Sequence, residues 1–183
     1  GTDRAKKRID DIVKDLGLKG VDFFFNTEVV SVDEDSRSVS LDGDSGAIEL
    51  SFGRLIVAPG RSGFAFLQKI MDELHIPYVD NTVDIGIRVE TTLDSYPIVK
   101  DYYDPKFLFP NGVRTFCTNS GYSQVVQERY DGFYSVNGHA FSSDKGENGL
   151  VNFAMLKTIT LTAPVASGQK FATILGQAAM EIG

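Results

Sequence analysis

The chain has 183 residues, of which 42% are hydrophobic and 23% are charged. This balance is typical of a globular protein and argues against an intrinsically disordered chain. The formal net charge of -7 disfavours a nucleic-acid backbone or an anionic membrane surface as a general partner.

The first third of the chain predicts a helix followed by a small antiparallel meander. Apolar residues recur at helical spacing over residues 3–17, and the stretches "VDFFFNTEVVSVDED" and "RSVSLDGDSGAIELSFGRLIVA" alternate as strands around a glycine turn at 43–46. The apolar run Leu55, Ile56 and Val57 predicts a buried strand. The chain then turns at Ala58-Pro59-Gly60, as strands do at the edge where open α/β sheets bind ligands.

The remainder predicts a helix over 64–74, then mainly strands, and an amphipathic helix over 168–182. In the strand "VDIGIRVE", Arg88 lies on the face opposite Ile87. Prolines predict a short helix and loop between 92 and 112. We expect "VRTFCTN", "SQVVQERY" and "GFYSVNGHA" to be consecutive strands of one antiparallel sheet, and "NFAMLKTITLT" to be a long strand. The predicted fold class is therefore α+β.

Several site types are not supported by the sequence. No G-x-G-x-x-G loop, Walker loop or G-x-S-x-G elbow occurs, and Cys117 is the single cysteine. The two histidines have no metal-ligand spacing, so we expect no metal site. Because no leader or membrane span is recognised, the sequence favours a soluble cytoplasmic protein.

Polar residues concentrate on the predicted strands of the second part. Two interpretations remain open for this group: structural salt bridges such as Arg88 with Glu90, or a small-molecule pocket in which an arginine orients a carboxylate. The residues are Arg88, Glu90, Arg114, Asn119, Asn137 and His139.

The order and spacing of five motifs resemble a known family. "LIVAPGRSG", "VDIGIRVE", "VRTFCTNSG", "ERYDGFYSVNGHAFS" and "NFAML" are similar to motifs of the bacterial FAD-dependent, "NAD(FAD)-utilising" dehydrogenases, flavoproteins with a glutathione-reductase-like fold. The resemblance runs along nearly all of the chain. It departs in "TFCTNSG", where the family has "TFC-Met-Asn-Pro".

The resemblance implies a domain organisation and a cofactor. Residues 1–63 correspond to part of an FAD-binding domain, 64–167 to an inserted substrate domain, and 168–183 to the helix that returns to the FAD-binding domain. The family's amino-terminal dinucleotide fingerprint and carboxyl-terminal closing segment have no counterpart here. We therefore expect a middle fragment of a flavoprotein that holds no FAD alone. The residues implied in FAD binding are Val29, Val30, Ala58, Pro59 and Gly60.

The resemblance also implies a substrate site, built from Arg88, Arg114, Asn137 and His139, with His139 as the candidate catalytic residue. The expected partners are a small-molecule substrate, which the sequence does not identify, and the remaining parts of the parent flavoprotein; NAD(P) has no supporting residue. An alternative is a stand-alone module that binds a small acid or peptide through Arg88 and Arg114 without redox activity. For a fragment, we expect exposed apolar surface on residues 1–63 and on the last helix, at Ile174, Leu175 and Met180.

Overall fold

The computed structural model describes residues 2–44, 46–60, 63–130, 132–164 and 167–182. These residues form an α+β fold of three α-helices and eight strands, and all strand pairs are antiparallel, which confirms the predicted fold class. The helices are α1 (Ala5–Leu18), α2 (Phe64–Glu73) and α3 (Gly168–Ile182). The strands are β1 (Thr27–Asp33), β2 (Ser38–Gly43), β3 (Ile48–Ser51), β4 (Val83–Thr92), β5 (Val113–Asn119), β6 (Ser123–Tyr130), β7 (Phe133–Ala140) and β8 (Leu150–Ile159).

The chain divides into two compact units. The small unit is Ile12–Val79, and the large unit is Gly1–Asp11 together with Asp80–Gly183. The predicted domain boundaries at 63/64 and 167/168 follow from the resemblance to a flavoprotein family and stay predictions.

The small unit is a β1-β2-β3 meander with α2. The central strand, β2, carries the buried side chains Val39 and Leu41, and Ile70 of α2 is only 3% exposed. The first hairpin turn is fixed by Asp33, whose carboxylate accepts a hydrogen bond of 2.9 Å from the backbone N–H of Ser36. The alternation seen in the sequence thus gives a three-stranded sheet with its core on one face.

The predicted buried strand at 54–58 is wrong. These residues form no strand, and the side chains of Leu55 and Ile56 are 39% and 88% exposed, while Val57 is half-buried. The strand β3 ends at Ser51, and no described strand of the small unit pairs with the segment that follows it. An apolar run needs a neighbour to become a buried strand, and here the described part of the unit supplies none.

The large unit is built around the three-stranded sheet β4-β8-β5. The central strand β8 is buried on both faces from Val151 to Ala154. On one face the ring of Tyr96 stacks on Phe153 with centroids 4.7 Å apart, and desolvation raises the pKa of the Tyr96 hydroxyl above its usual value. The predicted short helix in this region is confirmed as a 3-10 helix, Pro97–Lys100.

The expectation that β5, β6 and β7 lie in one sheet is wrong. β6 and β7 form a separate two-stranded sheet, and the neighbour of β5 is β8. The reason is the length and double-sided burial of β8, which takes the central place between β4 and β5. Strand order is set by this long-range pairing rather than by succession along the chain.

The helix α3 packs against β7 in the large unit. The backbone N–H of Tyr134 lies 3.1 Å from the sulfur of Met180, which accepts its hydrogen bond. The expected exposure of apolar side chains on α3 is confirmed, with Ile174 at 59%, Leu175 at 40% and Met180 at 47%.

Candidate functional site

Four of the polar residues predicted from the strand pattern lie on one face of the β4-β8-β5 sheet: Arg88, Glu90, Arg114 and Asn119. Arg88 on β4 lies in register with Ala154 on β8, and the next position on that face pairs Glu90 with Asn152. A β-bulge shifts the register of β5 between Phe116 and Asn119, so that Asn119 lies opposite Asn152. Three strands thereby bring polar side chains to one place.

We call Arg88, Asn119, Asn137 and Asn152 the Arg88 cluster. Nη1 of Arg88 donates to Oδ1 of Asn152 at 2.6 Å and to the carbonyl of Cys117 at 3.3 Å. Its Nη2 donates to Oδ1 of Asn137 at 3.5 Å, and Nδ2 of Asn119 donates to Oδ1 of Asn152 at 3.3 Å. The Arg88–Glu90 salt bridge, one of the two interpretations left open by the sequence, is not formed, since the hydrogen bonds of Arg88 go to neutral oxygen atoms.

Gly138 on β7 lies directly over the Arg88 cluster. A Cβ atom at this position would overlap the guanidinium of Arg88, Oδ1 of Asn152 and Nδ2 of Asn119. Gly138 is buried, and its N–H donates to Oδ1 of Asn137 at 2.8 Å. The absence of a side chain is what lets the β6-β7 sheet approach the polar face of the other sheet.

Asn137 links the cluster to a carboxylate. Its Nδ2 donates to Oε1 of Glu128 at 2.8 Å, while its Oδ1 accepts from Arg88. Glu128 on β6 is half-buried. The side chain of Asn137 therefore bridges the carboxylate of Glu128 and the guanidinium of Arg88, which are not in direct contact.

Arg114 lies on the same sheet face as Arg88 but has its own partner. Its Nη2 is 2.6 Å from Oδ2 of Asp84, and its guanidinium lies 5.1 Å from the ring centroid of Phe116. The other oxygen of Asp84 accepts a 2.6 Å hydrogen bond from Thr158. The carboxylate of Asp84 thus partly neutralises the charge of Arg114, whereas the hydrogen-bond partners of Arg88 are neutral.

His139 is not in hydrogen-bond contact with the other predicted substrate residues. It is half-buried on β7, opposite Gln124 of β6. By strand alternation its side chain shares a face with Asn137, two positions away. The structure therefore joins Arg88 with Asn137 and places Arg114 on the same sheet face as Arg88, but it does not join His139 to them.

Sequence reasoning missed Asn152, whose Oδ1 accepts hydrogen bonds from both Arg88 and Asn119. The signal was available in "LVNFAML", where one asparagine interrupts an otherwise apolar run. Asn152 is fully buried, and a buried amide requires hydrogen-bond partners.

The residues expected to bind FAD lie in two segments of the small unit. Val29 and Val30 are on β1 at a β-bulge, where the carbonyl of Val30 accepts a 3.1 Å hydrogen bond from Nζ of Lys69. Ala58 is exposed and Pro59 half-buried in the segment that follows β3. Gly60 ends this segment with φ of +69°, a left-handed conformation that favours glycine.

A groove of about 490 Å³ lies between residues 31–35 and 73–75 of the small unit. Four of its lining residues are acidic: Asp33, Glu34, Asp35 and Glu73. Such a lining repels phosphate groups, so this groove does not fit the pyrophosphate of a dinucleotide.

Comparisons with known proteins leave the family open. No protein-family model matches this sequence, and no curated protein is significantly similar to it. Among the residues that the structure describes, no helix has both the length and the apolar character needed to cross a membrane. The same residues contain no group of three or more acidic, histidine or cysteine side chains arranged to hold a metal ion.

Proposed function

We propose that this chain is part of a cytoplasmic FAD-dependent oxidoreductase of the glutathione-reductase-like class. The observation that carries the proposal is the segment from Leu55 to Gly60, which is apolar and largely exposed and ends on a left-handed glycine. Exposed apolar segments of this kind mark surfaces that another part of a protein or a ligand covers. The motif order of the whole chain supports the same class.

The residues present fit FAD as one edge of a site. Gly60 has open space where a side chain would lie, so a flavin nucleotide could approach its backbone closely. The pyrophosphate of FAD needs N–H donors at a helix N-terminus, and the acidic groove offers none suited to it. When bound, FAD would supply the electron-transfer chemistry. We therefore expect the chain by itself to hold no flavin.

The Arg88 cluster is the proposed substrate side of this enzyme. Arg88 carries a positive charge that its three neutral partners do not compensate. An anionic or carbonyl-bearing small molecule is the substrate class that such a guanidinium binds and orients. His139 on β7 is the residue that we propose to exchange a proton with the substrate.

A second function rests on the two arginines of the large unit and requires no flavin. Arg88 and Arg114 lie on one face of the sheet, so a binding module for a small acid is the alternative proposal. The two proposals differ in whether the natural protein carries FAD.

The visible absorption spectrum separates the two proposals. We expect the natural protein that contains this chain to purify with bound FAD and the chain alone to purify without it. Gly60→Val should reduce the flavin content of the natural protein, because a β-branched residue resists the left-handed conformation. Gly60→Asn, which tolerates that conformation, is the matched control. Natural protein without flavin would support the binding module instead.

A further inference from the structure

The three methionines of the chain differ in their access to solvent. Met180, in the last turn of α3, is 47% exposed, whereas Met71 and Met155 are half-buried. Peroxides oxidise a thioether to a sulfoxide, and the oxidant must reach the sulfur atom to do so. The exposure of Met180 therefore makes it the methionine that a dissolved peroxide reaches most readily.

The sulfur of Met180 also holds the end of α3 to the sheet. It accepts a hydrogen bond from the backbone N–H of Tyr134 on β7, with 3.1 Å between sulfur and nitrogen. In an antiparallel pair, alternate residues direct their N–H groups away from the partner strand. Tyr134, which lies opposite Arg129 of β6, is such a residue, since its N–H is bonded to Met180. The sulfur thus covers a backbone donor on the outer edge of β7.

A second contact fixes the middle of α3 without sulfur. Gly176 lies so close to the ring of Phe133 that a Cβ atom at this position would overlap the ring. Phe133 is buried, and its ring stacks on Tyr130 with centroids 4.9 Å apart. Peroxide does not attack this contact. A change at Met180 therefore acts on the carboxyl-terminal end of α3 and leaves its middle in place.

We propose that Met180 is a site of reversible oxidation by hydrogen peroxide, and that the sulfoxide releases the last turn of α3 from β7. A lone pair of the sulfur takes one oxygen atom from the peroxide, so that the O–O bond breaks, an S–O bond forms and water leaves. The thioether loses two electrons, and the peroxide is reduced by them. The site lies within the large unit and does not depend on a flavin.

Both epimers of the sulfoxide weaken the contact with Tyr134. An oxygen atom on the lone pair that faces Tyr134 does not fit within the 3.1 Å between sulfur and nitrogen. An oxygen atom on the other lone pair withdraws electron density from the sulfur, which is then a poorer acceptor. The sulfoxide is also far more polar than the thioether, so the oxidised side chain turns to solvent.

Peptide mass spectrometry of the peroxide-treated chain tests the site. Met180 should gain one oxygen atom faster than Met71 and Met155, while in urea the three methionines should react at similar rates. Methionine sulfoxide reductases specific for the two epimers should together remove the added oxygen. Faster oxidation of Met71 or Met155 in the folded chain overturns the proposal.

Hydrogen exchange tests the release of α3 in the double variant Met71→Leu/Met155→Leu, in which Met180 is the remaining methionine. Oxidation should lower the protection of the Tyr134 amide and of the last turn of α3 by about two- to tenfold, the loss expected for one hydrogen bond. The amide of Val39 in the small unit should not change. Unchanged protection after complete oxidation of Met180 overturns the proposal.

Met180→Leu is the matched control, because leucine keeps an apolar side chain but has no sulfur acceptor. This variant should show the lower protection of the Tyr134 amide before treatment and no further loss with peroxide. If the double variant does not fold, the parent chain oxidised only at Met180 and separated by chromatography takes its place. A further loss of protection in peroxide-treated Met180→Leu would assign the effect to another residue and overturn the proposal.

Discussion

Arg114 on β5 and Asp84 on β4 are joined by a 2.6 Å ion pair that spans β8, the strand between them. Asp84 also accepts the hydroxyl of Thr158 on β8, so that one carboxylate connects all three strands of the sheet. The pair is only partly shielded, with side-chain exposures of 32% for Arg114 and 39% for Asp84. Its contribution to stability should therefore be small and sensitive to salt.

Asp84→Asn should lower the free energy of unfolding by less than about 1 kcal/mol, as for other exposed ion pairs. The difference from the parent chain should shrink in high salt, because salt screens the pair. Urea denaturation at low and high ionic strength measures both effects. Asp94→Asn, at an exposed aspartate in the same unit, is the control. A loss several times larger would mean that Asp84 has a structural role beyond the ion pair.

Gly138→Ala should destabilise the large unit by about 1–3 kcal/mol, the usual effect of overpacking a tight site. The added methyl group would displace the guanidinium of Arg88 and the amides of Asn119 and Asn152. Gly53→Ala is the matched control, because a Cβ atom there has no neighbour within 4 Å. Equal stability of the two variants, measured by urea denaturation, would contradict the close approach of β7 to the cluster.

Truncation of two isoleucines of the small unit should change stability by very different amounts. Ile70→Ala removes a side chain that is 3% exposed and should cost about 2–5 kcal/mol, whereas Ile56→Ala removes one that is 88% exposed and should change stability by less than about 0.5 kcal/mol. Thermal unfolding of both variants gives the comparison. A large loss for Ile56→Ala would show that the segment after β3 is packed in solution.

Ser142→Ala should raise the pKa of Asp3. The hydroxyl and backbone N–H of Ser142 both donate to the Asp3 carboxylate, and the hydroxyl contact is the main cause that holds the pKa of Asp3 below its usual value of 3.8. A lowered folded-state pKa gives stabilisation that is present above pH 3.8 and is lost as the pH falls through the folded-state pKa. The contact of the amino-terminal segment with Ser142 should therefore weaken in acid.

NMR titration of the Asp3 carboxyl carbon measures this change directly. Asp33 provides an internal reference, since its pKa is lowered mainly by the backbone N–H of Ser36 and should not respond to Ser142→Ala. An Asp3 titration that is the same in the variant and the parent chain would remove Ser142 as the cause.

Local patterns in the sequence predicted the helices, the strands and the α+β class, because periodicity reports which face of an element is buried. They did not predict strand order: β8 pairs with β4 and β5, which precede it by dozens of residues in the sequence. They wrongly predicted that Leu55 and Ile56 are buried, because apolar character alone does not say whether a neighbouring strand is present. Arg88 was identified as polar on a strand, but its partner Asn152 depends on cross-strand register, which local pattern does not contain.

The bulge in β5 determines which side chain of this strand lies opposite Asn152. Cys117 has φ of +50°, a conformation that costs a residue with a side chain on the order of 1 kcal/mol. In a regular alignment without the bulge, Thr118 would lie opposite Asn152, and Asn119 would turn to the face covered by Tyr96. Cys117→Gly should therefore favour the observed alignment and Cys117→Val the slipped one. The backbone conformation of Cys117, and not its thiol, therefore determines which side chain of β5 reaches Asn152.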